Sequence, residues 1–129
     1  MHKSNTGVPF CYRTSFASTH IRFSAGGDLV RQMIELLIAD YSATATPLEQ
    51  VVVMVNGLGG TTVLELLAVT GHVRKNLQEK GIQLFQFTAG EFATSLDTAG
   101  FSITLLPIDN EIEPLLAAAC DSFCFTHHP

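Results

Sequence analysis

The stretch Gln50-Val-Val-Val-Met-Val-Asn-Gly-Leu-Gly-Gly-Thr-Thr-Val-Leu-Glu65 decides the fold of this chain. Val51–Val55 is short, mostly β-branched and wholly apolar, which predicts a central strand covered on at least one face. Asn56-Gly-Leu-Gly-Gly60 must then turn the chain, because Thr62-Val-Leu-Glu65 has the spacing of a capping box, in which hydroxyl and carboxylate each satisfy an orphan amide at a helix start. The helix so begun carries Val63, Leu66, Leu67, Val73 and Leu77 as its expected buried stripe, with Arg74, Lys75 and Lys80 near its end and Gly81 as the stop. Ile82–Phe87 reads as a second strand. Strand, helix and strand together make a crossover unit, expected to be right-handed.

Upstream, Val30, Met33, Ile34, Leu37, Ile38 and Tyr41 recur at intervals of three and four opposite Arg31, Gln32, Glu35 and Asp40. That predicts an amphipathic helix over Asp28–Tyr41, with Asp28 placed where the helix dipole favours an anion. Ser42–Pro47 is its exit loop. Residues 1–19 show no clear period, although Val8–Tyr12 and Thr14–Phe16 each have the make-up of a short strand. Downstream, Thr88–Gly100 is a polar segment with an expected turn of helix at Phe92–Leu96. Phe101, Ile103 and Leu105 alternate with Ser102 and Thr104, the mark of a strand with one better-buried face. Asn110–Ala119 is expected as a closing helix capped by Asn110, with Glu111 and Glu113 in its first turn. The organisation expected is an N-terminal segment over 1–19, an α/β domain over 20–119 and a tail over 120–129.

Of the 129 residues, 47% are hydrophobic and only 15% charged, against about a quarter charged in ordinary domains. A chain so poor in solvating side chains is expected to show an apolar face to a partner, and a homo-oligomer is one way to cover it. Seven Lys and Arg against twelve Asp and Glu give a net charge of −5. The cations are scattered and form no basic stripe, which argues against nucleic acid. No apolar run approaches the roughly 20 residues of a membrane span, and no leader pattern opens the chain. Three cysteines, Cys11, Cys120 and Cys124, fit reduced thiols in the cytoplasm better than a disulfide framework.

The candidate site is the turn made by Asn56, Gly57, Gly59, Gly60, Thr61 and Thr62, because amides at a helix start can bind an anion. It has neither the Lys of a phosphate-binding loop nor the glycine spacing of a dinucleotide fingerprint, so a tight turn with close helix-to-sheet approach is the competing reading. Cys120, Cys124, His127 and His128 lack zinc-ligand spacing, and no metal is expected. His72 within a helix and His20 before one have no nucleophile or carboxylate at motif spacing. Glu91 and Asp97 flank a polar loop, where carboxylates more often form turns and caps than an acid and base pair.

The order of the pieces carries more information than any one of them. Val53-Met-Val-Asn-Gly-Leu-Gly-Gly60 with Leu64-Glu-Leu66, then Gly90-Glu-Phe-Ala-Thr-Ser-Leu-Asp97, then Gly100-Phe-Ser-Ile-Thr-Leu-Leu106 resembles the second half of the DhaK subunit, or DAK1 domain, of the dihydroxyacetone (glycerone) kinases. Gly27-Asp-Leu-Val-Arg-Gln-Met33 is similar to the start of a helix in that family, and the likeness runs from about Gly27 to Leu116. It implies a two-layer α/β sandwich, with a mixed sheet of about six strands and helices on one face.

The resemblance also implies a role in phosphorylating dihydroxyacetone. In the family the triose is held covalently by a His in a Gly-Ile-His-Gly-Glu-Pro-Gly-like motif, and phosphate arrives from ATP or the phosphotransferase system on a DhaL-like domain or subunit. Such a nitrogen fixes a small polyol that offers little binding area of its own. Here Arg13 stands where an ungapped count places that His, and His20 has no Gly-Glu-Pro-Gly after it. No catalytic or substrate-binding residue is therefore carried over, and no cofactor is expected on these residues. The expected partners are the family's first domain and a DhaL-like protein. A non-catalytic DhaK-like module for dimerisation or regulation is the alternative.

Overall fold

A computed structural model describes residues 13–17, 26–44, 46–96, 98–123 and 125–128, with the backbone only for 13–17 and 26. The strand expected at Val8–Tyr12 and the residues His20, Asp97, Cys11 and Cys124 lie outside the described set. The elements are β1 (Arg13–Ala17), α1 (Gly26–Ala43), β2 (Gln50–Gly57), α2 (Val63–Glu79), β3 (Gln83–Gly90), β4 (Phe101–Pro107), α3 (Ile112–Ala117), β5 (Cys120–Asp121) and β6 (Thr126–His127). Four strands form a mixed sheet in the order β1-β4-β2-β3, and β5 and β6 form a separate pair. Among the described residues the mixed sheet thus has four strands where about six were expected in one sheet, and the other two pair apart.

β2 and β3 run parallel, as the crossover requires, while β4 is antiparallel to both β1 and β2. Alternation decides which face each side chain takes. Val51, Val53 and Val55 are fully buried, and so are Phe101, Ile103 and Leu105 on β4, Leu105 facing Val53 and Ile103 facing Val55. The same cluster takes Val30, Met33, Ile34, Leu37 and Tyr41 from α1 and Leu66, Val69, Val73 and Leu77 from α2. The two helices cover one face of the sheet, α1 lying over β1 and β4 and α2 over β2 and β3. This two-layer arrangement is the expected fold class. The phenol of buried Tyr41 donates to the Leu105 carbonyl at 2.7 Å, which satisfies its polar end inside the core and pins α1 to β4.

The stripe of α2 differs in detail from the expected one. Val63 and Leu67 are 67% and 56% exposed, whereas Val69 and Asn76 are buried. The sheet sits under Leu66, Val69, Val73 and Leu77, which turns the first-turn apolar residues toward solvent. Asn76 is tolerated there because its Nδ2 donates to the His72 carbonyl at 2.8 Å.

Two further expectations are corrected. Phe92–Leu96 forms no helical turn, because the side chain of Asn56 holds that backbone open. Asn110 does not cap α3: Asp109 Oδ1 accepts from the amides of Glu111 and Ile112 at 2.9 and 2.8 Å and takes the capping role. α3 itself is only 6 residues long and buries no side chain.

Candidate functional site

β2 and β3 end side by side at Gly57 and Gly90, so the turn after β2 and the loop after β3 emerge at the same edge, where parallel α/β units place their sites. The two segments are laced together. Asn56, 6% exposed, accepts the amides of Phe92 and Ala93 on Oδ1 at 2.8 and 2.9 Å and donates from Nδ2 to the Ala93 carbonyl at 2.9 Å. Thr61 Oγ1 donates to the Gly100 carbonyl at 2.7 Å and accepts the Gly100 amide at 2.9 Å. Three backbone bonds complete the clasp: Leu58 to Gly100, Gly60 to Thr98 and Ser95 to Leu58.

Glycine is required here for two separate reasons. Gly59 has φ of +104°, in the region that side chains disfavour. Gly60 lies so close to the opposing loop that a Cβ would come within 2.9 Å of the Ala99 nitrogen.

The helix start is satisfied from within the chain. The Thr62 amide donates to Glu65 Oε2 at 2.8 Å, the Thr62 hydroxyl donates to the same oxygen at 2.8 Å, and Glu65 N donates to Thr62 Oγ1 at 3.3 Å. The bond from the Thr62 backbone, then the one from its hydroxyl, holds the Glu65 carboxyl below the usual carboxylate range. The carboxylate already occupies the place at the dipole's positive end that an external anion would take.

Of the six residues in the candidate turn, Asn56 and Thr61 therefore have their side chains bound to the opposing loop, Gly60 gives its amide to Thr98, and Thr62 is engaged by Glu65. Glu91 is exposed beside Gly57, where a Cβ would meet its Cγ at 3.1 Å. His72 lies far along the chain from this edge and packs at the start of α1, its ring 3.1 Å from the Cβ position of Gly27. The tail expected over 120–129 carries the β5–β6 pair, and Phe125 meets Phe92 edge to face with centroids 6.5 Å apart. Among the described residues no group of three or more His, Cys, Asp or Glu is placed to hold a metal ion, and no helix is long and apolar enough to cross a membrane.

The clasp unites the three separated sequence motifs, Val53–Gly60, Gly90–Asp97 and Gly100–Leu106, in one place. Sequence reading missed this because hydrogen bonds accepted by Asn56 from residues 36 and 37 positions away leave no periodic trace. The family model of the Dak1 domain matches residues 16–124, which include every strand of the mixed sheet but the first residues of β1. The chain belongs to the Dak1 domain family.

Among Dak1 relatives, the dihydroxyacetone-binding subunit DhaK of PTS-dependent dihydroxyacetone kinase 2 from Listeria innocua is 38% identical over 94 residues, which are 73% of this chain and 28% of that subunit. A solved structure titled as regulation of the dha operon of Lactococcus lactis superposes with a TM-score of 0.74 at 25% identity, over 84% of this chain and 34% of that one. The dihydroxyacetone kinase from C. freundii, solved with AMP-PNP and Mg2+, gives a TM-score of 0.60 at 28% identity, over 72% of this chain and 16% of that one. The chain thus spans about a third or less of the length of each of these proteins.

Proposed function

We propose that these residues form the second-domain scaffold of a dihydroxyacetone kinase, in the subunit that binds dihydroxyacetone for phosphorylation. The observation that carries the reading is the clasp. The three motifs shared with the family converge on it, and the side chains of Asn56 and Thr61 are used in joining the β2 turn to the loop before β4. On this reading the turn from Asn56 to Thr62 is a structural joint and not an anion site, the domain proper is residues 20–119, and the chemistry belongs to other parts of the assembly. The partners are the family's first domain and a DhaL-like domain or subunit in the cytoplasm, and the phosphoryl donor, ATP or the phosphotransferase system, acts on the DhaL side.

A second reading, a DhaK-like regulatory module, is favoured by the higher and broader superposition on the operon-regulation structure than on the kinase. One graft separates the two. Residues 26–107 replace the matching segment of the Listeria DhaK subunit, and formation of dihydroxyacetone phosphate is measured with DhaL and donor. The kinase reading expects turnover to survive the graft. A folded chimera that binds the triose but transfers no phosphate would favour the regulatory reading instead. Phosphate titrated into the 129-residue chain should leave the amide signals of Gly59 and Thr61 in place, and saturable shifts there would restore the anion site.

A further inference from the structure

Of the four asparagines in the chain, only Asn56 is followed by a glycine. The side-chain amide of an asparagine is open to attack by the backbone nitrogen of the next residue. Glycine makes that attack easiest, because it has no side chain to shield the nitrogen and the least restricted backbone. The fold nevertheless requires both residues. Asn56 is what holds the 91–96 backbone open, and a Cβ at Gly57 would come within 3.1 Å of both Leu66 Cδ1 and Glu91 Cγ. The clasp is therefore built around a chemically labile dipeptide.

While the clasp is closed, the attack is blocked. Asn56 Oδ1 accepts from Phe92 and Ala93 and its Nδ2 donates to the Ala93 carbonyl, so the side chain cannot swing toward Gly57 without giving up these bonds. Both residues are buried at the end of β2. Asn56 is paired with Gly90 and Ser102, and Gly57 with Phe101, so the backbone is kept extended where ring closure needs it to turn. Asn110, by contrast, is exposed and is followed by Glu111.

We propose that Asn56-Gly57 is a self-modifying site, shut by the clasp and reactive whenever the clasp opens. The Gly57 nitrogen then bonds to Asn56 Cγ, the bond from Cγ to Nδ2 breaks, and ammonia leaves with the proton that the Gly57 nitrogen gives up. Solvent water opens the resulting cyclic imide at either carbonyl. Breaking the bond to Cγ leaves aspartate at position 56. Breaking the bond to the main-chain carbonyl leaves isoaspartate, in which the main chain runs through the former side chain and is longer by a carbon. Nothing is oxidised or reduced. Neither product restores the clasp: aspartate sets a carboxylate against the Ala93 carbonyl, where Nδ2 donated, and isoaspartate breaks the even Cα spacing that keeps β2 in register. An opening that is followed by this reaction becomes irreversible, so the clasp records how often the domain has opened. The site is independent of the kinase reading, because it rests on the clasp geometry alone.

The test ages the 129-residue chain in warm, mildly alkaline buffer. Conversion at Asn56 is followed by peptide mass spectrometry, with enzymatic methylation of isoaspartate as a second readout and Asn110 as the internal reference. A reaction of the opened state tracks its population, so conversion relative to Asn110 should be faster in urea beyond the unfolding transition than in native buffer by about tenfold or more. Thr61→Ala removes both bonds to Gly100 without touching residues 56 and 57, and should speed conversion in native buffer by about tenfold. Converted chains, separated by ion exchange, should show quickened hydrogen exchange at 91–96. Thermal melts check that the variant folds. Should it fail to fold, the wild-type chain in urea below the transition decides: its conversion should quicken before the core unfolds. Conversion as fast in native buffer as in urea, no conversion in either, a folded Thr61→Ala chain that converts at the wild-type rate, a rate flat below the transition, or converted chains whose exchange at 91–96 matches fresh protein would each overturn the proposal.

Discussion

The turn–loop clasp and the C-terminal segment beyond Pro107, which carries α3 and the β5–β6 pair, are held in different ways. In the clasp, a side chain's partner lies 36 to 39 positions away: Asn56 with Phe92 and Ala93, Thr61 with Gly100. In the C-terminal segment nearly every bond is local, such as Asp109 to Ile112, Ser122 to Phe125 and Thr126 to Asp121. Leu115 and Phe123 stand exposed at 73% and 105%. Long-range bonds in a half-buried setting resist opening because breaking one leaves a group that water reaches poorly, whereas local bonds on an exposed segment exchange with water at little cost. The clasp thus joins two segments far apart in sequence, whereas the C-terminal segment closes mainly on itself.

The comparison is anchored by the core, where the largest effects are expected. Ile103→Ala, at a position with no exposure, should cost about 2–5 kcal/mol in urea unfolding, a large part of the stability of a domain this size. Next comes the clasp itself. Asn56→Ala leaves the amides of Phe92 and Ala93 and the Ala93 carbonyl without partners, at about 2–4 kcal/mol by the cost of unsatisfied buried groups. Asn56→Asp keeps the two accepted bonds but sets a carboxylate against a carbonyl, so it should destabilise less than Ala. In both variants hydrogen exchange should quicken first in 91–96. If it quickened equally across the sheet, the clasp would not be a separable unit.

How much of this was legible in the sequence follows from the reach of each interaction. The elements α1, β2, α2, β3 and β4 could be read because their periodic residues report on a neighbouring layer within a few positions, and the capping box of Thr62 and Glu65 closes over three residues. Val63 and Leu67 were misassigned because period alone cannot say where along a helix the sheet ends. The false helical turn at Phe92–Leu96 has the same origin. Its amides are taken by Asn56, and a long-range side-chain bond overrides local preference without leaving any pattern in the sequence. The resemblance locates all three motifs of the clasp, but it is the fold that brings them into contact.

A smaller effect distinguishes the clasp from the helix start beside it. Thr62→Ala removes one capping partner and should cost about 1 kcal/mol with little change in exchange at 91–96. Glu65 adds a pH dependence of known sign. Its carboxyl is held below its ordinary value by the bonds from Thr62, so the charged form is favoured by folding. Its contribution is therefore present above that value and is lost as pH falls through the lower folded-state pKa. Glu65→Gln should flatten the stability profile in that acid window and leave the profile near neutrality almost unchanged. A variant as acid-sensitive as the wild type would mean that other carboxylates carry the loss.

The smallest effect belongs to the C-terminal segment. Leu115 on α3 is 73% exposed and α3 buries nothing, so Leu115→Ser should change stability by less than about 0.5 kcal/mol. Phe125 differs from it in one respect, the edge-to-face contact with Phe92 of the clasp loop, for which an aromatic pair supplies about 0.5–1.5 kcal/mol. A double-mutant cycle of Phe125→Leu with Phe92→Leu isolates that term from the rest of each side chain. A coupling within this range makes the β5–β6 pair a lid fastened to the clasp at a single point. A coupling of zero leaves the two regions independent and the contrast between them complete.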